Sequence, residues 1–190
     1  DEETGMTGAM QLDPSYYSGK ILLNLDTEDD DELSIGCAGG IDTNTSYNYA
    51  MADLAGDHTA FVLKVKGLMG GHSGMDIDKG RGNANKLMNR VLYHLISMVD
   101  FQLISIDGGS LRNAIPRESV AVISLNISDL GVFSTELNKI SEILISEFKT
   151  VEPKLKFSSK EIELTASAVS HEDALKIINT IYSVFNGVFR

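Results

Sequence analysis

The sequence predicts an α+β chain in which two helices lie on one face of a four-stranded antiparallel sheet, in the order β-α-β-β-α-β, behind a fragment of an α/β sheet. Two observations predict it. From residue 58 onward the hydrophobic period switches in turn between two and 3.6 residues. Before residue 55 the chain is instead rich in Asp, Gly and Thr, with short apolar runs that end at acidic residues. The expected domains are accordingly residues 1–55 and 56–190, joined through the long loop 39–57, which is expected to hold the hinge.

In the first region, residues 6–12 leave room for a short helix that the Asp13-Pro14 turn signal ends. Residues 21–25 form a near-continuous apolar run suited to a buried strand, and residues 33–37 a second short run. In the second region residues 58–68 alternate with β-branched and aromatic side chains, as a strand does. Leu87, Val91, Leu95 and Met98 recur at helical spacing within 81–98, which predicts a long amphipathic helix. Strands follow at 101–106 and 119–127. Leu137, Ile140, Ile143, Leu144 and Phe148 mark a second helix, 155–164 alternates as a fourth strand, and 172–184 is a further helix. This order is the split βαβ arrangement of a ferredoxin-like layer.

Composition narrows the function. A net charge of −11, with 16 basic against 27 acidic residues, opposes nucleic-acid binding, which needs clustered Lys and Arg. No uninterrupted apolar run is long enough to cross a bilayer, so no membrane span is expected. A single cysteine, Cys37, excludes an internal disulfide and a zinc-ribbon ligand set, and suits a reducing cytoplasm.

Three carboxylates, Asp1, Glu2 and Glu3, open the chain without an initiator Met, which predicts a piece excised from a longer enzyme. A hydrolytic metal site needs acidic oxygen ligands and a nearby carboxylate to take a proton, and adjacent residues can divide those roles. The tripeptide alone equally fits an acidic helix start favoured by the helix dipole. Asp26 changes the weighing, because it follows the apolar run and would sit at a strand's carboxyl end, where open α/β sheets place ligands. The acidic run 28–32 has no loop glycine, so it makes no EF-hand site and reads as a solvated loop.

The turn Gly67-Leu68-Met69-Gly70-Gly71-His72-Ser73-Gly74 stands between a strand and a helix. Its glycines allow positive φ and close backbone approach, so His72 can project from a tight loop instead of packing into a core. The spacing matches neither the Walker pattern nor GxGxxG. His58, His94 and His171 have structural readings: a strand start, a helix face and a helix start.

Five segments in order, Asp-Glu-Glu-Thr-Gly-Met-Thr-Gly-Ala at 1–9, Leu-Leu-Asn-Leu-Asp-Thr-Glu at 22–28, Gly-Gly-His-Ser-Gly at 70–74, Gly-Arg-Gly-Asn-Ala-Asn at 80–85 and Arg-Asn-Ala-Ile-Pro-Arg-Glu at 112–118, resemble the aminoacyl-histidine dipeptidases, the Xaa-His or carnosinase-like branch of the dinuclear zinc peptidases. The match runs from residue 1 to about 120 and is less distinctive beyond. The resemblance implies that residues 1–55 are a fragment of the catalytic metal-binding domain and 56–190 a partial lid and dimerisation domain. It implies that Glu2 is the general base acting on a zinc-bridging water, that Glu3 and Asp26 each ligate one of two Zn2+ ions, that His72 stabilises the oxyanion, and that Asn113 binds substrate. The implied substrate is a short peptide, the implied partner a second copy joined through the lid, and the location cytoplasmic. Further metal ligands of the family find no match here, so each zinc would have one protein ligand where a catalytic zinc normally has three, and the fragment alone is expected to be inactive. A zinc-dependent deacylase or carboxypeptidase of the same clan is the alternative activity, and a non-catalytic lid or dimerisation module the alternative role of the fragment itself.

Overall fold

A computed structural model describes residues 6–24, 31, 33, 35–36, 39–54, 57–163 and 167–188. The chain divides into two compact units, Asp1–Asn48 and Tyr49–Arg190.

In the first unit the expected short helix is α1, Thr7–Met10. Asp13 then accepts a hydrogen bond from the Ser15 backbone N–H at 2.8 Å and starts a short 3-10 helix, Pro14–Tyr16. The apolar run expected as a buried strand is not one over its described part. Residues 21–24 pair with no strand, and Ile21, Leu22 and Leu23 are each at least 80% exposed. An apolar run becomes a strand only where neighbours supply a ladder and cover its faces, and among the described residues of this unit there is no strand. Leu33 and Ile35 of the second run are exposed as well, while Leu25 and Cys37 lie outside the described residues.

The second unit carries the ferredoxin-like layer. Its strands and helices are β1 (Met51–Asp53), β2 (His58–Lys66), β3 (Gly71–His72), α2 (Ala84–Ile96), β4 (Phe101–Gly108), β5 (Ala114–Ile115), β6 (Ser119–Asn126), α3 (Leu130–Phe148), β7 (Lys156–Ile162), β8 (Ser167–Val169) and α4 (His171–Ser183). The main sheet has the order β4-β6-β2-β7, antiparallel throughout. Leu63 and Val65 on β2, Phe101 and Leu103 on β4, and Ala121, Ile123 and Leu125 on β6 turn one face inward. Against it pack Leu87, Val91, Leu92 and Leu95 of α2, and Phe133, Leu137, Ile140 and Leu144 of α3, which occupy the 3.6-residue stripe of an amphipathic helix.

Two short ladders were not anticipated. β1 pairs antiparallel with β8, and β3 with β5. Next to β1, the Ala50 N–H donates to the Asp173 carboxylate at 2.8 Å and the Ala50 carbonyl accepts from Ser170 N–H at 2.8 Å, so this strand is tied to the start of α4. The helix α2 begins later than its apolar period implies, because the Asn83 side chain accepts from the Asn85 and Lys86 N–H groups and caps it. No helix is long and apolar enough to cross a membrane among the described residues.

Candidate functional site

After β2 the chain passes through Gly70 and Gly71, whose φ values of 69° and 147° are conformations that side-chain-bearing residues rarely adopt. A Cβ on Gly71 would overlap the Arg81 guanidinium and the Asp76 carboxylate, so the backbone here lies directly on that ion pair. Gly71 and His72 then pair with Ile115 and Ala114, and Ser73 N–H continues the contact by donating to the Asn113 carbonyl at 2.8 Å. His72 and Asn113, both singled out in the sequence, thus come from segments about forty residues apart to neighbouring backbone positions. Glu2, Glu3 and Asp26 lie outside the described residues.

The turn beyond His72 is held by polar contacts. One oxygen of Asp76 accepts from the His72 backbone N–H at 2.8 Å and lies 3.1 Å from the Arg81 guanidinium, and the other accepts from Lys79 Nζ at 2.6 Å. Arg81 also donates to the Gly70 carbonyl at 2.7 Å, which closes the loop on itself. The Lys79 hydrogen bond and, after it, the His72 N–H hold the Asp76 carboxyl below its ordinary range. The charges of Arg81 and Lys79 add to this and desolvation opposes it. The His72 ring is exposed, and its Nδ1 accepts from the N–H groups of Gly74 and Met75 at 3.1 and 3.2 Å.

The base of this loop is pinned by Glu152, a carboxylate only 1% exposed. It accepts from Met69 N–H at 2.7 Å and from Gly82 N–H at 2.9 Å, so it ties the loop where the chain enters and where it leaves. A buried carboxylate is tolerable because such charge-assisted hydrogen bonds replace its water. Asp76, Arg81 and Glu152 were not picked out from the sequence. An Asp four residues after the His, with Lys79 and Arg81 close behind, is the signal that could have found two of them; for Glu152 the partners are too distant in sequence.

A cleft of about 230 Å³ beside β5 is lined by Leu111, Ala114, Arg117 and Glu118 among others. A second cleft of about 370 Å³, near the end of α4, contains Lys86 and Arg90, but their charges are already used. Lys86 donates to the carbonyls of Ile181, Tyr182 and Val184 at 2.6 to 2.9 Å, and Arg90 grips Glu147. The other histidines hold structural positions, His58 bonded to Ser124 at 3.0 Å and His94 to Glu136 at 2.7 Å. His171 opens α4 next to its Ser170 cap. Among the described residues no three His, Cys, Asp or Glu converge on a point where a metal could bind.

Residues 63–152 match the family model described as the M20 peptidase dimerisation domain. Over 189 residues the chain is 36% identical to the cytosol non-specific dipeptidase of Escherichia coli, covering all of this chain and 39% of that protein. The resemblance to the dipeptidases runs the length of the chain. In structure it matches the aminoacylhistidine dipeptidase of Vibrio alginolyticus with a TM-score of 0.80 and 34% identity, again covering all of this chain and 39% of the other. The chain therefore spans about two fifths of the length of these relatives, and the likeness extends past residue 120, where the motifs thin out.

Proposed function

We propose that this chain is part of a dipeptidase that hydrolyses short peptides, with Xaa-His dipeptides as the substrate class, and that it works in the cytoplasm as a homodimer joined through the ferredoxin-like layer. The observation that carries the reading is the likeness to two dipeptidases along the whole chain. The match of residues 63–152 to a peptidase dimerisation domain supports the dimer.

In this reading Glu2 accepts the proton of the attacking water and returns it to the leaving amine. Glu3 and Asp26 are each a ligand of one of two zinc ions, which when bound would polarise the scissile carbonyl and acidify the water. His72 donates a hydrogen bond to the carbonyl oxygen as negative charge develops there, and Asn113, in the turn that leads into the adjoining strand, holds the substrate. With Glu3 and Asp26 each zinc would have one protein ligand where a catalytic zinc normally has three, so the 190 residues alone should not turn over peptide.

The test uses the full-length protein with alanyl-histidine as substrate. Glu2→Gln should retain the metal content and lower kcat by roughly 100- to 10,000-fold, the usual contribution of a general base. His72→Ala should lower kcat by about 100- to 1,000-fold with a smaller change in KM, since an oxyanion donor acts on the transition state. If His72 crosses to the partner's site, mixed Glu2→Gln and His72→Ala dimers recover part of the activity. Wild-type turnover by His72→Ala, or metal loss in Glu2→Gln, would refute the role concerned.

A further inference from the structure

His72 is exposed, yet the surroundings of its ring are one-sided. Two backbone N–H groups, from Gly74 and Met75, point at Nδ1 from 3.1 and 3.2 Å. A peptide N–H can only donate, so Nδ1 must offer its lone pair. A proton on Nδ1 would face two others, and turning the ring over would put a carbon in its place and lose both bonds. The proton therefore sits on Nε2.

The rest of the turn holds this arrangement in register. The Asp76 carboxylate takes the backbone N–H of His72 itself at 2.8 Å, while the Asp76 N–H donates to the His72 carbonyl at 3.1 Å. Lys79 and Arg81 fix that carboxylate from two directions, and Arg81 carries the constraint back to the Gly70 carbonyl. The Asp76 and Arg81 side chains are 17% and 20% exposed, more enclosed than the ring they support.

We propose that the turn 72–76 locks His72 in its Nε2–H tautomer, so that it serves as a one-way hydrogen-bond donor to the reacting carbonyl oxygen, with Asp76 as the residue that positions it. The inference rests on the catalytic role given to His72 above and sharpens it. It also excludes His72 as a metal ligand in this conformation. Coordination through Nε2 would need a lone pair there and the proton on Nδ1, opposite the two peptide donors. Asp76 is a positioning residue, acting through His72 without touching substrate.

Two measurements on the full-length protein test this. Long-range proton–nitrogen correlation of histidine-labelled protein, with the His72 signals assigned by their loss in His72→Gln, should show a protonated Nε2 and an unprotonated Nδ1. The reverse pattern overturns the tautomer lock and needs no variant of Asp76. In kinetics with alanyl-histidine, Asp76→Ala should lower kcat by roughly 10- to 100-fold with KM little changed, because misplacing a reacting group by about 1 Å costs on the order of 100-fold. Asp76→Asn, which keeps an acceptor for the His72 N–H but loses both ion pairs, should fall in between and serves if Asp76→Ala does not fold. The double variant His72→Ala with Asp76→Ala should be no slower than His72→Ala alone. If the two losses multiply, Asp76 acts elsewhere and the positioning role is overturned. If His72→Ala alone is fully active, the catalytic reading fails, and the nitrogen spectrum still judges the tautomer separately.

Discussion

The layer and the His72 turn belong to one compact unit but are held by different forces. In the sheet and its helices, side chains such as Leu92, Leu125 and Ile123 are fully buried, and the arrangement follows from burying one face of each element. Between residues 71 and 81 no side chain is fully buried. The turn keeps its shape through the Asp76, Lys79 and Arg81 ion pairs, the Glu152 anchor and the short β3–β5 ladder. Apolar packing is non-directional, which suits a scaffold. Hydrogen bonds and ion pairs have direction and fix where one exposed ring points, which is what a site requires.

The largest effect should come from breaking the scaffold. Leu92→Ala removes a fully buried side chain from α2 and should cost about 2 to 5 kcal/mol, a large part of the roughly 5 to 15 kcal/mol that holds a domain together. Denaturant midpoints would read it, and an unchanged midpoint would mean that α2 does not seal the sheet.

Glu152→Gln should do the opposite, loosening the turn while leaving the apolar face intact. The amide keeps one acceptor but sets an NH2 against a backbone N–H, and a buried polar group left unsatisfied costs about 1 to 3 kcal/mol. Amide hydrogen exchange should rise at Met69, Gly82 and His72 more than at Leu63 or Ile123. Equal acceleration everywhere would mean that the turn and the layer open as one unit, and the contrast between them would fail.

That contrast also explains what was legible in the sequence. The layer's strands and helices were readable because their periods of 2 and 3.6 are set by packing along the whole element; β2, β6 and α3 are cases in point. The start of α2 was misjudged because a side-chain cap at Asn83 ended the loop, a local contact that periodicity does not record. The ladders β1–β8 and β3–β5 are two or three residues long, too short for any period. Residues 21–23 were misread for the converse reason: their apolarity was plain, but burial depends on partners that a local window does not contain. Within the site, His72 stood out through its flanking glycines and Asn113 through the resemblance alone. Glu152 meets Met69 across 83 positions of chain, a pairing no local pattern carries.

The smallest effect lies where α2 meets α3, in contacts that resemble the turn more than the core. Arg90 grips Glu147 with bonds of 2.8 and 2.7 Å, and His94 meets Glu136 at 2.7 Å. The Arg90 hydrogen bond, aided by the Arg90 charge and opposed by desolvation, holds the Glu147 carboxyl below its ordinary value. His94 and then Lys139 do the same for Glu136. A carboxylate depressed in the folded state adds stability that is complete above its unfolded pKa, about 4.3 for Glu. That stability is lost as pH falls through the folded value. The thermal midpoint should therefore decline as pH is lowered from about 5 toward 3. Glu147→Gln should flatten that decline slightly, because the pair is part-exposed, at 34% and 46%, and exposed pairs contribute only about 0.2 to 1 kcal/mol. Added salt should shrink the difference between wild type and variant further, since exposed charges are screened. A variant with the same acid slope as wild type would show that the Arg90–Glu147 pair adds nothing to the α2–α3 seam, which would then rest on Leu137, Leu144 and their neighbours and on the His94–Glu136 bond.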